Sequence, residues 1–478
     1  MKEERRVAFF QAEGKDAGSP GKERPEEKTE KQEKLSKERK YRLKSGEVLA
    51  GFVIIFLIFA VTAANIILPD KDFSEKENRM LSQIPELSAT SLFDGRFMSH
   101  SESYLADQFM FRDLWISIRS RFQLMMGVND SNGVYRGERG YLFQESSKPD
   151  EEHLNANIDA INQLAENTEL RIFMMVIPTA SNVLSDYLPK FAPVSDQNED
   201  LKTLQERISS NIKYIDTYDA LKEHETEYIY YYTDHHWTTK GAYYAFLNAA
   251  PSIGIDNPEA IKYSRVAVTD SFAGTLASKS GFPLKKKDTI EVWIPSEDAE
   301  AAGISAGEDA AAADGNTESE AGGNTSGGES ADVGYSPSVR YVVEYVEEDE
   351  KSVDLYDSSK LEGTDKYAVF FGGNYPLIKI STTNQTDKSP LLIFKDSYAN
   401  CFVPFLLPYY DEIIMVDPRY YYGDIHELIR TEKITQILFL YNADTFFEDT
   451  SLADVLASAA DDGADEDLEG AEAVSGGK

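Results

Sequence analysis

The chain has 478 residues and a formal net charge of −35, with 48 Lys and Arg against 83 Asp and Glu. Its length is sufficient for one large domain or two modest ones with a buried core. The acidic balance argues against a nucleic-acid-binding face, which needs clustered Lys and Arg. The single cysteine, Cys401, excludes an intramolecular disulfide and any CxxC zinc or redox motif.

The N-terminal region predicts a charged tail followed by a membrane span. Residues 1–46 are rich in Lys, Glu, Arg and Gln and predict a disordered cytoplasmic tail. Residues 48–68 contain no charged side chain, so residues 47–69 are predicted to form a transmembrane helix. Basic residues precede this run, which places the N-terminus in the cytoplasm and the main domain outside the cell. A cleaved signal peptide is the alternative, because small residues occur near the end of the run.

Beyond the span, the sequence predicts a helical lead-in and then alternating strands and helices. Residues 70–145 are predicted to be mostly helical, since apolar residues recur at helical spacing over 93–124. Helices are also predicted at 154–167 and 242–250. Strands separated by helix-length intervals favour a parallel α/β sheet, and they are predicted at 170–177, 214–215, 341–345, 368–371, 391–394, 413–416 and 437–440.

Two acidic segments of low complexity interrupt or end this pattern. Residues 296–335 hold ten acidic residues and no Lys or Arg. Segments so poor in large apolar groups cannot offset their ordering entropy by burial. Residues 297–336 are therefore predicted to be a disordered insertion, and residues 448–478 a disordered tail. The insertion divides the α/β domain into a first part at 146–296 and a second part at 337–447.

Two of the six histidines stand beside a carboxylate, in the segment Thr233-Asp234-His235-His236-Trp237 just before a predicted helix. An Asp two residues from a His can orient its imidazole and stabilise the imidazolium, as a general base requires. Two alternatives remain open. The segment is either a hydrogen-bonded corner that caps the next helix, or a metal site formed by Asp234, His235 and His236.

Polar residues also follow three of the predicted strands. Ser397 stands at a strand-to-helix turn, where a hydroxyl is exposed and the following backbone N–H groups can stabilise an oxyanion. The alternative for Ser397 is a helix-capping hydroxyl. Asn442 stands just after the strand predicted at 437–440 and could supply a further oxyanion donor. Arg419, after the strand at 413–416, could contact an anionic or carbonyl group.

Together these motifs resemble the DHHW family of SGNH-hydrolase-like proteins. The likeness spans residues 75–445 apart from the acidic insertion. Its blocks are Asp234-His235-His236-Trp237, Gly372-Gly373-Asn374-Tyr375-Pro376, Lys395-Asp396-Ser397-Tyr398-Ala399-Asn400 and Asp417-Pro418-Arg419-Tyr420. The lead-in is similar to that of this family and of alginate O-acetylation proteins, in Glu77-Asn78-Arg79, Asp94-Gly95, Asp107-Gln108-Phe109 and Arg112-Asp113.

The resemblance implies a circularly permuted, SGNH-hydrolase-like (flavodoxin-like) parallel sheet, in which the Asp-x-His element precedes the Ser-bearing strand. It implies Ser397 as the nucleophile, His236 as the base and Asp234 as the residue that orients it. The backbone N–H of Ser397 would contribute to the oxyanion hole. The candidates for a second oxyanion donor or for substrate contact are Asn442, Asn374, Arg419, Tyr398 and His235.

The resemblance implies O-acyl ester chemistry on carbohydrates. The first hypothesis is a membrane-anchored extracytoplasmic serine esterase or O-acetyltransferase that acts on a cell-surface or secreted polysaccharide without a cofactor. A transferase would receive its acyl group through a multi-pass membrane acyltransferase as partner. The second hypothesis is a catalytically inactive carbohydrate-binding or assembly factor of the same fold. It is motivated by Lys395, which stands where SGNH proteins have Gly before Asp-Ser, and by the lack of a clear Gly for their second block.

Overall fold

The computed structural model of the chain describes residues 25–71, 73–74, 79–85, 87–88, 91–92, 95–146, 148–301, 340–384, 386 and 388–457. Residues 1–24 of the predicted tail, 302–336 of the acidic insertion and 458–478 of the C-terminal tail lie outside these ranges. Two units are distinguished. One comprises Met1–Asp70 with Gln108–Met110, and the other comprises Lys71–Asp107 with Phe111–Lys478.

The first unit contains a helix of 43 residues, α1 (Pro25–Ile67). Residues 25–46 are therefore helical where disorder was predicted, because Glu, Lys, Gln and Arg form helices readily and Pro25 occupies the first helical position. The segment Gly46–Ile67 has 22 residues and a mean hydropathy of 2.5, with no residue buried. By length and composition it is able to cross a membrane, as membrane anchors and signal sequences both are.

The second unit begins with two short antiparallel strands and two helices: β1 (Phe73–Ser74), β2 (Arg79–Met80), α2 (Arg96–Asp107) and α3 (Arg112–Met125). The helical region predicted over 93–124 is thus divided into two helices. Phe111, immediately before α3, has a left-handed backbone conformation with φ of 56°, which a continuous helix does not allow.

A small antiparallel sheet follows within the lead-in that was predicted to be mostly helical. Its strands are β3 (Asp130–Ser131), β4 (Val134–Arg136) and β5 (Leu142–Gln144). Asn132 and Gly133 form the turn between β3 and β4, with φ of 52° and 70°. An Asn-Gly pair is a strong hairpin signal because both central residues of such a turn need a positive φ. The sequence therefore contained the signal for this hairpin.

The remaining strands are β6 (Arg171–Ile177), β7 (Ile212–Tyr214), β8 (Tyr263–Phe272), β9 (Asp288–Pro295), β10 (Tyr341–Tyr345), β11 (Glu350–Ser352), β12 (Leu377–Thr382), β13 (Leu391–Lys395), β14 (Glu412–Val416) and β15 (Gln436–Asn442). Strands β8 and β9 form a separate antiparallel ribbon. The other eight form the central sheet, in the order β11-β10-β12-β14-β13-β15-β6-β7. Strands β14, β13, β15, β6 and β7 are parallel, which confirms the α/β class.

The sheet is mixed, which corrects the prediction of a parallel sheet. Strands β12, β10 and β11 are antiparallel to their neighbours at one edge. A short turn joins β10 to β11, and short turns connect only antiparallel neighbours, because a parallel pair needs a long crossover. The strand predicted at 368–371 is instead a 3-10 helix, Lys366–Val369. The chain turns there because Phe371 and Gly372 have φ of 58° and 75°.

Helices cover both faces of the central sheet. The remaining α-helices among the described residues are α4 (Glu151–Asn167), α5 (Ala180–Val183), α6 (Gln197–Arg207), α7 (Tyr218–Lys222), α8 (Thr239–Ala249), α9 (Thr275–Ser280), α10 (Ser296–Ala301), α11 (Ala399–Phe402), α12 (Ile425–Thr431), α13 (Ala443–Glu448) and α14 (Leu452–Ala457). Alternate strand residues point to opposite faces, so Leu438 and Leu440 belong to one core and Ile437 and Phe439 to the other. Helices α8 and α11 pack in the first core, and α4, α6, α12, α13 and α14 in the second.

Two of these helices lie in segments that were predicted to be disordered. Helix α10 occupies the start of the acidic insertion, and α14 lies within the predicted C-terminal tail. Leu452, Val455 and Leu456 of α14 are buried in the same core as α4. Burial of these three apolar side chains offsets the entropy of ordering the helix, which composition averaged over the whole tail does not reveal.

Candidate active site

Ser397 lies at the centre of the sheet's carboxyl edge. It follows β13, which is flanked by β14 on one side and β15 on the other. The carboxyl ends of neighbouring parallel strands meet at this edge, so Asp417 after β14 and Asn442 at the end of β15 lie at the same edge as Ser397. In open α/β sheets ligands bind in a crevice at this edge.

Two hydrogen bonds attach the His-bearing segment to the residue after Ser397. The indole Nε1 of Trp237 donates to the backbone carbonyl of Tyr398 at 3.0 Å, and the hydroxyl of Tyr398 donates to the carbonyl of His235 at 2.5 Å. Trp237 and Tyr398 are both fully buried. These contacts hold the segment against the turn that carries Ser397.

A chain of hydrogen bonds links a serine, a histidine and an aspartate at this junction. The Nε2 atom of His236 is 2.7 Å from Ser397 Oγ, and its Nδ1 atom is 2.8 Å from Asp234 Oδ2. His236 is 5% exposed and Asp234 is 1% exposed. With an aspartate on Nδ1, the imidazole has the tautomer and orientation in which Nε2 can accept the serine proton.

The other carboxylate oxygen of Asp234 is held by the start of α9. The backbone N–H and the hydroxyl of Thr275 donate to Asp234 Oδ1 at 3.1 and 3.2 Å. Gly274 allows this approach, because a Cβ atom added there would lie 2.3 Å from the Cβ of Asp234. Burial would raise the pKa of the Asp234 carboxyl, but His235, His236 and the hydrogen bonds together lower this pKa well below its ordinary value. Asp234 is therefore a carboxylate.

Tyr367, which belongs to none of the motifs in the sequence, also contacts the Ser–His–Asp chain. Its ring stacks on the imidazole of His236, with ring centroids 3.8 Å apart, and its hydroxyl donates to the backbone carbonyl of Ser397 at 3.1 Å. The residue lies in the 3-10 helix that was predicted as a strand beginning at 368. The sequence contains no signal for this 3-10 helix, so it gives no indication that Tyr367 contacts His236.

Replacing Tyr367 by Phe is expected to lower kcat for ester turnover by roughly three- to tenfold, since the change removes one hydrogen bond worth about 0.5–1.5 kcal/mol. The ring stays against His236, so KM and the folded structure are expected to be unchanged. Steady-state kinetics of the variant measures this effect. The exposed Tyr422 provides the control Tyr422→Phe, and equal kcat values for both variants would show that the hydroxyl of Tyr367 does not position Ser397.

Lys395 points into the core and not into the crevice. The side chain is fully buried, and its Nζ donates to Asn374 Oδ1 at 2.9 Å and to Asn400 Oδ1 at 3.1 Å. Asp417 Oδ2 lies 3.5 Å from the same nitrogen, and Arg419 forms a bidentate pair with Asp417 at 2.8 and 2.6 Å. Burial lowers the pKa of Lys395 below its ordinary value, while Asp417 opposes that shift. Lys395 therefore belongs to a buried charge network behind Ser397.

The two asparagines predicted as oxyanion donors are placed differently. Asn442 Oδ1 caps α13 by accepting from the N–H groups of Asp444 and Thr445, and its backbone N–H donates to Asp396 Oδ2 at 2.8 Å. Asn374 is exposed, and its Oδ1 accepts from Lys395 and Asn400. In both residues the amide oxygen is engaged, so only the Nδ2 group can donate to a ligand.

The other three predicted substrate contacts divide between the core and the crevice. Tyr398 is completely buried, and its hydroxyl donates to the carbonyl of His235. The prediction of Tyr398 as a substrate contact is therefore corrected, because this hydroxyl is already bonded within the core. His235 is partly exposed, and its Nδ1 lies 2.9 Å from the hydroxyl of Thr275. Arg419 is also partly exposed beside Asp417.

Asp234, His235 and His236 also form a group whose ligand atoms lie within 4.8 Å of one another, as a metal site would require. Their hydrogen bonds favour the Ser–His–Asp chain over a metal site. His236 uses both ring nitrogens, toward Asp234 and Ser397, and His235 uses Nδ1 toward Thr275. An ion at this position would have to displace the contact between Asp234 and His236.

A cavity of about 370 Å³ lies beside the hydrogen-bonded chain and not directly over Ser397. Its wall includes His235, Arg419 and Asn442, which border the crevice. The cavity is also lined by α13 and the residues after it, by β5 and by α5. The complete lining is Leu142, Gln144, Thr179, Ala180, Ser181, His235, Leu276, Arg419, Asn442, Asp444, Thr445, Glu448, Asp449, Thr450 and Ser451.

Asp444 in this wall is a carboxyl group with a shifted pKa. Burial and the nearby Glu448 raise its pKa to about 7, while hydrogen bonds from Ser146 and Gln197 oppose the shift. Between the ordinary carboxyl range and about pH 7, the folded chain therefore binds more protons at Asp444 than the unfolded chain does. The contribution of Asp444 to stability falls as the pH rises through this window.

Asp444→Asn is accordingly expected to stabilise the fold relative to the parent as the pH rises from about 4 to about 7, by roughly 4 kcal/mol at most in the free energy of unfolding. The gain should level off above that range. Chemical denaturation at a series of pH values measures the difference. Asp159→Asn, an exposed change on α4, is the matched control, and a difference independent of pH for Asp444→Asn would contradict the raised pKa.

The fold and the site define an α/β protein with a hydrogen-bonded Ser–His–Asp chain at the carboxyl edge of a mixed, mostly parallel sheet. The family model described as DHHW protein matches residues 132–276 and 326–416, and the chain belongs to the DHHW family. None of the curated proteins compared with the chain matches it.

Solved structures include similar folds. A DHHW family protein from Eubacterium siraeum DSM 15702 is 22% identical with a TM-score of 0.51, over 69% of this chain and 96% of that one, and it supports the fold. PatB1 of Bacillus cereus with a sulfonyl adduct is 18% identical with a TM-score of 0.49, over 66% and 97%. The O-acetyltransferase domain of Pseudomonas putida AlgJ is 12% identical with a TM-score of 0.38, over 68% and 99%.

Proposed function

We propose that this protein is a serine-dependent esterase or O-acetyltransferase that acts on acyl esters of a cell-surface or secreted polysaccharide. The observation that carries the proposal is the distance of 2.7 Å between Ser397 Oγ and His236 Nε2, with Asp234 on the other ring nitrogen. A serine hydroxyl needs an adjacent base to become a nucleophile, and the base needs an orienting group. We propose a carbohydrate as the substrate class because the motifs resemble those of the DHHW family.

The proposed reaction has two steps. In the first, Ser397 Oγ attacks the acyl carbon while His236 Nε2 takes its proton. The ester bond then breaks, and His236 returns the proton to the leaving oxygen, which leaves an acyl-serine. In the second step, water or a sugar hydroxyl gives its proton to His236 and attacks the acyl carbon of the acyl-serine. The bond between that carbon and Ser397 Oγ then breaks, and His236 returns the proton to Oγ, so that the products are free Ser397 and a carboxylic acid or a new ester. Asp234 keeps its charge and stabilises the imidazolium.

We propose that the backbone N–H of Ser397 and the Nδ2 group of Asn374 stabilise the oxyanion in both steps. Lys395 and Asn400 support this assignment, because they hold Asn374 Oδ1 and leave Nδ2 as the donor on an exposed residue. Asn442 Nδ2 is the second candidate. In this arrangement Lys395 orients Asn374 from behind and stays out of the crevice, so a lysine before Asp-Ser is compatible with catalysis.

The proposal includes a circularly permuted SGNH-hydrolase-like domain. Its support is the chain order, in which Asp234 and His236 precede β13 and Ser397 yet meet Ser397 at the carboxyl edge of the sheet. Permutation leaves the site unaltered, since the side chains are placed by the strand order in space and not by their order in the chain.

We also propose that Gly46–Ile67 is an uncleaved anchor, with a cytoplasmic N-terminus and an extracellular main domain. The basic residues before the span support this orientation. A transferase would then receive its acyl group from a multi-pass membrane acyltransferase in the same membrane. Retention of the full chain in alkali-extracted membranes is expected, and secretion of a chain that lacks the span would show a signal peptide instead.

Labelling of the full-length protein with a serine-directed fluorophosphonate tests the proposed nucleophile. Mass spectrometry is expected to find the adduct on Ser397 in the parent and no adduct at that site in His236→Ala, which lacks the base. The matched control His153→Ala changes an exposed histidine of α4 and should label like the parent. Polysaccharide binding without any labelling of Ser397 would favour the inactive carbohydrate-binding factor.

A further inference from the structure

Helix α3 exposes large apolar side chains along one side. Six such residues, at the helix and just before it, recur at helical spacing and are each between 47% and 84% exposed. They are Phe111, Leu114, Trp115, Ile118, Phe122 and Met125. With 3.6 residues per turn, these positions occupy an arc of roughly 100°. A contiguous apolar surface of this kind on a folded domain marks an interaction site. We call it the apolar face of α3.

The opposite side of α3 packs against the domain through smaller groups. Ser120 is fully buried, and its hydroxyl donates to the backbone carbonyl of Ser280 in α9 at 2.6 Å. A Cβ atom added at Gly281 would lie 2.7 Å from Cγ2 of Ile116, so α3 closely approaches the residue that follows α9. The helix therefore buries a serine and exposes a tryptophan and a phenylalanine, the reverse of the usual arrangement for a helix between a core and water.

The chain connects the start of α3 to the C-terminal end of the apolar span. Gln108–Met110 belongs to the same unit as the span. The backbone N–H of Met110 donates to Oδ1 of Asn65, near the end of α1, at 2.7 Å. Phe111, the first residue of the apolar face of α3, follows Met110 directly in the chain. The apolar face therefore begins next to a residue that is bonded to the span.

The residues of α3 are distributed as in a helix that lies at a membrane surface. Arg119 and Arg121 are exposed, and by helical spacing they border the apolar face on its two sides. At such borders the guanidinium groups contact lipid phosphates while the apolar stems of the side chains contact acyl chains. Trp115 lies within the face, and Trp is enriched at the level of the lipid headgroups. Cations on both borders and the continuity with the span favour a lipid surface over a protein partner.

We propose that α3 lies in the surface of the bilayer that holds the span, with its apolar face among the acyl chains. The proposal rests on the proposed anchor, which assigns α3 to the extracytoplasmic leaflet. Ser120 binds the end of α9, while Thr275 at the start of α9 holds Asp234. One short helix thus joins the membrane-bound surface to the Ser–His–Asp chain. Docking of α3 would fix the orientation of the site toward the bilayer, where a membrane-bound acyl donor would act.

Trp115 provides a native probe for the test. The other two tryptophans, Trp237 and Trp293, are buried in the core, and the span contains none. The full-length protein is reconstituted in vesicles of dioleoylphosphatidylcholine, and in vesicles of the same lipid brominated across its double bonds. Bromine quenches indoles that contact the acyl chains. Brominated lipid is therefore expected to remove the emission that Trp115 contributes, and the variant Trp115→Phe should show no such loss.

Iodide, supplied on both sides of the membrane, identifies the other possible occupants of the face. In the proposed arrangement iodide does not quench Trp115 in vesicles. Quenching by iodide without quenching by brominated lipid would show a water-exposed face, as expected for a surface that binds an absent protein partner. Quenching by neither would show that a second copy of the chain covers the face. Either result overturns the proposal.

Charges placed on the face test the proposal independently. The double variant Ile118→Asp with Phe122→Glu changes two exposed side chains, so the fold should be retained. Quenching of Trp115 by brominated lipid is expected to be lost and quenching by iodide to appear, because carboxylates are costly among acyl chains. The matched control is Val353→Asp with Phe191→Glu, at exposed apolar positions elsewhere in the domain, and it should behave like the parent. Undiminished quenching by brominated lipid in the α3 variant would contradict the proposal.

The anchor and the docking of α3 can fail separately. Retention of the chain in alkali-extracted membranes, together with quenching of Trp115 by iodide alone, would keep the anchor and remove the docking. Release of the chain by alkali, together with quenching by brominated lipid, would keep the docking and remove the anchor. Neither measurement depends on ester turnover, so the outcome for the proposed esterase is independent of both.

Discussion

Ser397→Ala is expected to lower ester turnover at least about 10⁴-fold, and His236→Ala by a similar factor. Ser397 Oγ is the nucleophile of the proposed reaction, and His236 Nε2, 2.7 Å away, is the base that faces it. Because the two groups act as one unit, the double variant should be no slower than either single variant. The measurement is hydrolysis of p-nitrophenyl acetate by the full-length protein at equal folded concentration.

The control for this comparison is Ser210→Ala, which changes an exposed serine near β7 and should retain the parent rate. A parent rate that survives in both Ser397→Ala and His236→Ala would assign the hydrolysis to another group. A parent without activity would favour the carbohydrate-binding factor, unless turnover appears when a membrane acyltransferase supplies the acyl group. Measuring the parent with and without such a donor separates these two outcomes.

Asp417→Asn is expected to reduce the free energy of unfolding by about 3–5 kcal/mol, the usual cost of breaking a buried ion pair. The change leaves the ammonium of Lys395 fully buried, with only amide oxygens as partners. It also removes the bidentate partner of Arg419. Urea denaturation followed by tryptophan fluorescence measures the loss, because Trp237 and Trp293 are buried in the core and become exposed on unfolding.

A second substitution identifies the cause of that loss. Adding Lys395→Met to Asp417→Asn removes the uncompensated charge, so the double variant should be more stable than Asp417→Asn alone. Asp159→Asn is the surface control and should change the stability by no more than about 0.5 kcal/mol. If Asp417→Asn matched that control, the network behind Ser397 would have no role in stability.

Local patterns were sufficient for strands that form continuous apolar runs and for helices that begin at a capping residue. The run at 391–394 became β13, and the run at 437–440 lies within β15, because both strands are buried on both sides. The Thr residues before the helix predicted at 242–250 mark the start of α8, where Thr238 caps the N–H of Gly241. The prediction of secondary structure failed where a positive φ changes the direction of the chain, as at Phe111 and Phe371.

By itself, the sequence determined the apolar N-terminal helix, the α/β class and the family, because each depends on residues that are near one another in the chain. The family resemblance also implied Ser397, His236 and Asp234 as site residues, but only the tertiary structure decided how these side chains meet and which others contact them. The bond between His236 and Ser397 joins positions 161 residues apart, and Tyr367 and Thr275 reach the histidine and its aspartate from two other segments. Such contacts depend on which strands become neighbours and on how the loops at their carboxyl ends pack, and local periodicity contains neither.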